Sequence, residues 1–412
     1  MPGRVTHFQE TRFRSSRNPA PPPLPPNPMP PISRCAPQPD LRRAFTLVEM
    51  LVSLALLAII VGVVIQMTDQ TSSLWRNSAL RIQAFQEARA GFESMSRNLS
   101  QATLNSYYDY YDASNTPRKS LDTAAQASFT PVTYDLISDL HFVSGQAATL
   151  LPNADTNIVT QTHAVFFQAP LGYSGLYSQL DNALNACGYF LQFDDASTMV
   201  PDHVRNTPGY LPRYRFRLME MTQGTEKLKV YDPGADFNSW FIQSAAASSR
   251  VIAENVIALV LLPRLPTRDD LPGASGQGVS LAPNYNYNSR VPLGATADPS
   301  WPSLFPPDSY IAYPESGGSV TRKRHDRLPP LMRVVMVVID EASAIRLQGE
   351  STTPPAAIDL AKTNLFTDAT RLEADLQALE DICNAKKGNL TGNTMRLTYR
   401  IFSTDLIMRD AR

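Results

Sequence analysis

A run of 19 uncharged residues, Met50 to Thr68, most constrains how this chain can fold. At 1.5 Å per residue, a helix of that length measures about 28 Å, which matches the hydrocarbon core of a bilayer. The preceding residues include Arg34, Arg42 and Arg43, with Asp40 as the only acid close by. This charge bias predicts a single membrane span that keeps the N-terminus in the cytoplasm and exports the rest of the chain.

The helical pattern continues beyond the apolar run. No small-x-small cleavage site follows it directly, so an ordinary signal peptide is not indicated. Apolar residues recur every three or four positions over most of the next 30 residues, with charged residues between them: Leu74, Ile82, Phe85, Ala88, Phe92, Met95 and Leu99. The pattern predicts one helix from about Phe45 to Thr103, lipid-embedded over 45–68 and amphipathic over 69–105.

Glu49 lies about one turn inside the start of this helix. A carboxylate at the centre of a bilayer costs about 2.5–3.5 kcal/mol on insertion scales, so such a group usually has a partner. The residues alone leave two interpretations open. Glu49 is either an interfacial carboxylate hydrated by lipid headgroups or a carboxylate with a specific partner.

The stretch RRAFTLVEMLVSLALLAII, residues 42–60, resembles the cleavage and methylation motif of type IV pilins and type II secretion pseudopilins. The resemblance implies that prepilin peptidase removes a basic, proline-rich leader, residues 1–44, by cutting between Ala44 and Phe45. It further implies basic leader roles for Arg42 and Arg43, N-methylation of Phe45, and an assembly role for Glu49 at the N-terminal amine of a neighbouring subunit. Alanine replaces the usual glycine before the cut, and we expect the peptidase to accept this small change at a lower rate.

Two narrower resemblances follow. ARAGFESMSRNLSQATL, residues 88–104, is similar to the end of the long helix in J-type minor pseudopilins, although Asn98 stands where those proteins have an acid. VIAENVIALVLLPRLP, LPPLMRVVMVVIDEASAIRL and LTYRIFSTDLIMRDAR look like the large prepilin-type proteins of Verrucomicrobia known as Verru_Chthon cassette protein C. The role of that family is not established, so this resemblance adds no mechanism.

The remainder, 106–412, predicts an exported α+β domain in which an antiparallel sheet packs on the amphipathic half of the helix. Short runs rich in β-branched and aromatic residues predict strands at 163–169, 188–193, 214–221, 227–231, 256–263, 331–340 and 395–402. The Tyr-rich stretch after Asn105 reads as a loop. Residues of about 264–330, which contain the basic stretch RKRH, predict a surface insertion partly ordered on the sheet. A late helix is expected from about Asp368 to Ala385, with Gly388 as its stop.

The polar residues of the sequence show no pattern typical of a catalytic or metal site. RYRFR, residues 213–217, predicts a strand with three arginines on a solvated face. His7, His141, His163, His203 and His325 have no metal-binding spacing, and acids such as Asp109 and Asp112 lack that of an EF-hand. We therefore expect no cofactor, with calcium possible but unsupported. Cys187 and Cys383 would form either one disulfide or two buried thiols, and Met1 and Met29 are both candidate start residues.

Together these features predict a structural subunit rather than an enzyme. It would be a minor pseudopilin, anchored by one span in the inner membrane with its C-terminal domain in the periplasm. Its partners would be prepilin peptidase and other pilin-like subunits. The net charge of −1 offers no surplus for nucleic acid. Two alternatives remain: a membrane-anchored periplasmic enzyme or binding protein with a pilin-like export signal, and a DNA-binding minor pilin.

Overall fold

The structure is a computed structural model that describes residues 46–114, 116–195, 197, 200–231, 237–266, 281–290, 311–315, 318–322, 326–349 and 351–411. The predicted leader with Arg42, Arg43, Ala44 and Phe45 lies outside these residues, as do the last three residues of RKRH. The chain divides into two compact units, Met1–Met67 and Thr68–Arg412.

The long N-terminal helix predicted from the sequence is present. Helix α1 covers Leu47–Ser100, 54 residues, close to the expected bounds. The other helices are short and lie in the second unit: α2 Thr123–Ala127, α3 Ala147–Leu150, α4 Asn153–Thr156, α5 Asp202–Arg205, α6 Ile242–Ala247, α7 Glu341–Gln348 and α8 Leu372–Cys383.

The strands form antiparallel sheets, so the α+β class is confirmed. The strands are β1 Tyr107–Tyr111, β2 Thr133–Ile137, β3 Val143–Gln146, β4 His163–Pro170, β5 Leu184–Asp194, β6 Arg215–Gln223, β7 Ser249–Glu254, β8 Val256–Arg264, β9 Tyr287–Asn288, β10 Ile311–Glu315, β11 Gly318–Arg322, β12 Leu331–Ile339 and β13 Tyr399–Ile407. A six-stranded sheet has the order β7-β6-β5-β4-β3-β9, and a three-stranded sheet has the order β13-β12-β8. β1 pairs with β2, and β10 pairs with β11.

Within the second unit, the C-terminal part of α1 packs on the sheets through one apolar stripe. Ala88, Phe92, Met95 and Leu99 are buried, and the ring of Phe92 lies 5.8 Å from that of Phe402 on β13. Gly91 allows a close approach to β7, because a Cβ atom there would lie 2.9 Å from the carbonyl oxygen of Ile252. The amphipathic half therefore packs as predicted, but only over its last four turns.

The first turns of the predicted amphipathic half do not pack on the domain. Leu74 is 67% exposed and Ile82 is 58% exposed, although both fit the apolar period. This part of the helix has a polar contact with the rest of the second unit: Arg81 Nε lies 2.9 Å from the buried carboxylate of Asp340.

Three consecutive side chains join the two larger sheets. Just before and at the start of β4, Gln161 Nε2 donates to the carbonyl of Ile257 (2.5 Å), while Thr162 Oγ1 and His163 Nδ1 accept from the N–H groups of Leu259 (3.1 Å) and Leu261 (3.0 Å). These bonds occupy the edge of β8 opposite β12. An edge with free N–H and C=O groups can pair with other chains, so the side chains protect it as well as linking the sheets.

The bond to Leu261 requires His163 to be neutral, because an imidazolium has no acceptor nitrogen. Burial lowers the pKa of His163 to about 4, from an ordinary value near 6.5. The unfolded chain thus binds a proton near pH 6 that the folded chain does not. The stabilising contribution of this histidine is complete above pH 6.5 and is lost progressively as the pH falls towards 4.

We expect the free energy of unfolding to be about 1.4 kcal/mol lower at pH 5.5 than at pH 8 through His163 alone. Burial also lowers the pKa of His141, to about 3, so a second histidine adds to the loss of stability at low pH. Denaturant titrations of the full chain in detergent would measure this. His163→Asn, whose Oδ1 can still accept from the N–H of Leu261, should make the free energy of unfolding depend less on pH. His203→Asn, at an exposed position, should leave this pH dependence unchanged. An unchanged pH dependence in His163→Asn would contradict the assignment.

Four local predictions were wrong. Residues 107–111 form strand β1 rather than a loop, because they pair with 133–137. Residues 227–231 form no strand and begin in a short 3₁₀ turn. The last strand begins at Tyr399 rather than 395. The late helix ends at Cys383, and the first left-handed residue after it is Ala385 rather than Gly388.

Part of the predicted insertion is ordered. Within about 264–330, β9 pairs with β3, and Tyr285 and Tyr287 are almost fully buried. Part of the insertion is therefore ordered on the sheet, as predicted, and belongs to the core.

Cys187 and Cys383 are free and buried, which favours two buried thiols over a disulfide.

The arginine face predicted for 213–217 was wrong. Arg215 and Arg217 are buried, while Arg213 is exposed. Arg217 Nη1 donates to the carboxylate of Asp194 at 2.5 Å, and Arg215 Nη2 lies 3.1 Å from Glu341 Oε1. These two guanidinium groups pair with internal carboxylates, so the strand offers no basic face to nucleic acid.

Candidate functional site

The start of α1 is organised by a reciprocal pair of side chains. Thr46 precedes the first helical residue, and its backbone N–H and its hydroxyl both donate to Glu49 Oε2 at 3.1 Å. In return, the backbone N–H of Glu49 lies 3.3 Å from Thr46 Oγ1. This is a capping box, which satisfies two N–H groups that a helix N-terminus leaves without partners.

The capping box fixes the Glu49 carboxylate at the positive end of the helix dipole, where a negative charge is favourable. Only Oε2 is engaged: among the described residues, none donates a hydrogen bond to Glu49 Oε1. The side chain is exposed. One carboxylate oxygen thus remains available to a cation while the other holds the helix start.

The helix beyond this box has the properties of a membrane span. Every residue of 47–67 is exposed, and the large apolar side chains among them are 46–76% exposed. Ser53 Oγ donates to the Met50 carbonyl at 2.9 Å, so its hydroxyl has a partner within the helix. By length and composition, one helix in the described part of the chain could cross a membrane, and it is α1.

Apolar side chains also remain exposed between the span and the domain. Leu74, Trp75 and Ile82 are each more than half exposed. Trp75 and Ile82 are seven residues apart, so they lie on nearly the same face of the helix. This face offers a contact for another helix.

Sequence reasoning placed Glu49 and missed its partner. The predicted processing residues Arg42, Arg43, Ala44 and Phe45 lie outside the described residues. Thr46 was read only as part of a motif, yet Thr-x-x-Glu before an apolar run is itself the capping-box pattern.

Two of the histidines and two of the acids named above have structural roles. His141 and His163 are buried in hydrogen-bonded positions. Asp112 accepts from two backbone N–H groups of its own turn, and Asp109 accepts from that of Lys119. Among the described residues, no group of three His, Cys, Asp or Glu side chains could hold a metal ion.

Comparison with known families identifies the N-terminal segment. The model of the prokaryotic N-terminal methylation motif matches residues 40–65, which include Glu49 and the first turns of α1. No curated protein and no solved structure matches the chain. The match does not extend to the domain after residue 100, and it gives no support to the narrower resemblance to Verru_Chthon cassette protein C.

Proposed function

We infer that this chain is a minor, pseudopilin-like structural subunit. Its N-terminal methylation motif marks it as type IV pilin-like and processed by prepilin peptidase. It would join other pilin-like subunits in a short periplasmic or pilus-like filament that serves protein secretion. The observation that carries this proposal is the motif followed directly by α1, a helix exposed around its whole circumference from Leu47 to Met67.

The exposed apolar residues support assembly through helices. Lipid can cover residues 47–67, but Leu74, Trp75 and Ile82 lie beyond the run of uncharged residues. Packing against the helices of neighbouring subunits would bury them and gain roughly 25 cal/mol per Å² of apolar surface. The arginines before the span support the proposed orientation, with a cytoplasmic N-terminus and a periplasmic domain.

The large exported domain supports a minor rather than a major subunit. The second unit covers Thr68–Arg412, and so bulky a domain would hinder close packing of many identical copies. The retained Glu49 argues against the tip pseudopilin type that lacks this acid.

The rival proposal is a membrane-anchored enzyme or binding protein that uses the motif only for export. Mass spectrometry of the protein from its native membrane separates the two. We expect a chain that begins at Phe45 and carries one N-methyl group, with Ala44→Gly processed at least as fast. A chain that still contains residues 1–44, or an unmethylated Phe45, would refute processing as proposed. A processed chain that never copurifies with pilin-like subunits would favour the rival.

A further inference from the structure

Two adjoining clefts open on the six-stranded sheet where β6 continues beyond its pairing with β7. Their volumes are about 370 and 520 Å³. Tyr173, Thr222 and Ser248 line both clefts, so the two form one elongated groove, which we call the β6 groove. The proposed assembly role does not use it.

A fixed pair of charges lies at one end of the β6 groove. The Glu220 side chain is 2% exposed, and its carboxylate accepts from the Tyr189 hydroxyl at 2.6 Å and from Arg250 Nε at 2.5 Å. Asn98, near the end of α1, adds a third donor at 3.3 Å. The Arg250 side chain is 73% exposed, so it can donate to a ligand while it stays paired with Glu220.

An aromatic ring stands at the junction of the clefts on a firmly held loop. Asn185 Oδ1 accepts from the backbone N–H of Tyr173 at 2.8 Å, and Asn185 Nδ2 donates to its carbonyl at 2.5 Å. Glu226 accepts from Ser174 Oγ and from the N–H of Gly175 in the same loop. The Tyr173 residue is nevertheless 54% exposed. A loop whose backbone is fixed in advance loses little freedom when a ligand packs on the Tyr173 side chain.

The lining of the β6 groove does not resemble a protein interface. The cores of protein interfaces are depleted in Ser, Lys and Glu, and sites for drug-like molecules are mostly apolar. Here most lining side chains carry hydroxyl, amide or charged groups, including Asn98, Thr222, Gln243, Ser244, Ser248 and Ser249. Hydroxyls and amides can both donate and accept, as the hydroxyls of a sugar require.

We propose that the β6 groove binds a neutral oligosaccharide. The Tyr173 ring packs on the C–H face of one sugar ring, and Arg250 and the neighbouring hydroxyl groups bond to sugar hydroxyls. The ligand is neutral because the lining carries a net charge of only +1, from Glu220 and Glu226 against Arg250, Lys227 and Lys229. It spans several sugar units because the groove consists of two joined clefts.

The test uses the full chain in a phosphocholine detergent, since maltoside headgroups would compete. Calorimetric titrations employ cellohexaose and chitohexaose as neutral probes and hexagalacturonate as an acidic one. We expect saturable binding of at least one neutral probe, weakened about five- to tenfold by Tyr173→Ala. That variant keeps the backbone bonds of the loop. Tyr108→Ala, on the distant strand β1 and 65% exposed, is the matched control and should bind normally.

Three results of the sugar titrations would overturn the proposal. They are no saturable binding of either neutral probe at millimolar concentration, binding of hexagalacturonate alone, and equal weakening by Tyr173→Ala and Tyr108→Ala. A purified pilin-like subunit that binds the wild-type chain and not Tyr173→Ala, with no sugar binding, would make the groove a protein interface and would also overturn it. Filament assembly is measured separately, so neither proposal decides the other.

Discussion

Glu49→Ala should leave membrane insertion and leader removal unchanged and reduce incorporation into filaments at least tenfold. Insertion depends on the apolar run, which the substitution makes more apolar. Incorporation, in our proposal, depends on Glu49 Oε1, which accepts no hydrogen bond from the described residues, meeting the N-terminal amine of a neighbouring subunit. In a low-dielectric environment such a charge pair stabilises several times more than in water. Its loss should therefore affect assembly more than any other consequence of the substitution. Crosslinking or filament purification, with the mature chain quantified in the membrane, would measure the effect.

The capping box provides the control for this experiment. Glu49 also holds the start of α1 together with Thr46, and loss of a cap costs about 1 kcal/mol of helix stability. Thr46→Ala removes the cap and keeps the charge, whereas Glu49→Gln keeps an acceptor for Thr46 and removes the charge. If the charge matters, Glu49→Gln should fail in assembly like Glu49→Ala, and Thr46→Ala should assemble. The reverse order would show that Glu49 acts as a helix cap alone.

The N-terminal part of the fold could be predicted because its sequence patterns are local. The apolar run, the 3.6-residue period after it and the FTLVE motif each depend on residues close together in the chain, so the bounds of α1 could be read from the sequence. The point at which α1 begins to pack could not. Ile82 and Phe85 fit the same apolar stripe, yet Ile82 is exposed and Phe85 is partly buried, because the domain reaches only that far along the helix.

Long-range pairing accounts for most of the misses in the exported domain. Residues 107–111 contain four tyrosines, three of them exposed, and become a strand only because 133–137 provide a partner. Residues 227–231 have a strand-like composition but no partner strand beside them. The β6 groove could not be predicted from the sequence either, because its residues lie far apart in the chain. They come from α1, the β4–β5 loop, β6 and the segment after it, α6 and β7.

The arginines of RYRFR show the same limit in the core. Strand alternation correctly put Tyr214 and Phe216 on one face, where both rings pack against Phe193, but it says nothing about what covers each face. Arg215 and Arg217 lie beneath Asp194, Glu254 and Glu341, which come from other parts of the chain. A face that reads as solvated can therefore be buried when carboxylates from elsewhere meet it.

We expect Arg217→Met to lower the free energy of unfolding by about 3 kcal/mol, because removing one partner of a buried ion pair leaves the other uncompensated. The Arg217 guanidinium donates to the backbone carbonyls of Asp194 and Arg213 at 2.6 and 2.9 Å and to the carboxylates of Asp194 and Glu254. Methionine fills a similar volume and makes none of these bonds. The Asp194 and Glu254 side chains are 24% and 49% exposed, so water relieves part of the loss and the cost falls at the lower end of the range for buried pairs.

Arg213→Met is the matched control, because Arg213 belongs to the same RYRFR stretch and is exposed. Its loss should change the free energy of unfolding by less than about 0.5 kcal/mol. Denaturant unfolding of the full chain in detergent, followed by the fluorescence of the buried Trp240, measures both variants. Equal and small effects would mean that both arginines face water, as alternation alone predicts. A large effect of Arg217→Met alone would place the ion pairs of β6 in the folded core, where they cannot serve an external polyanion.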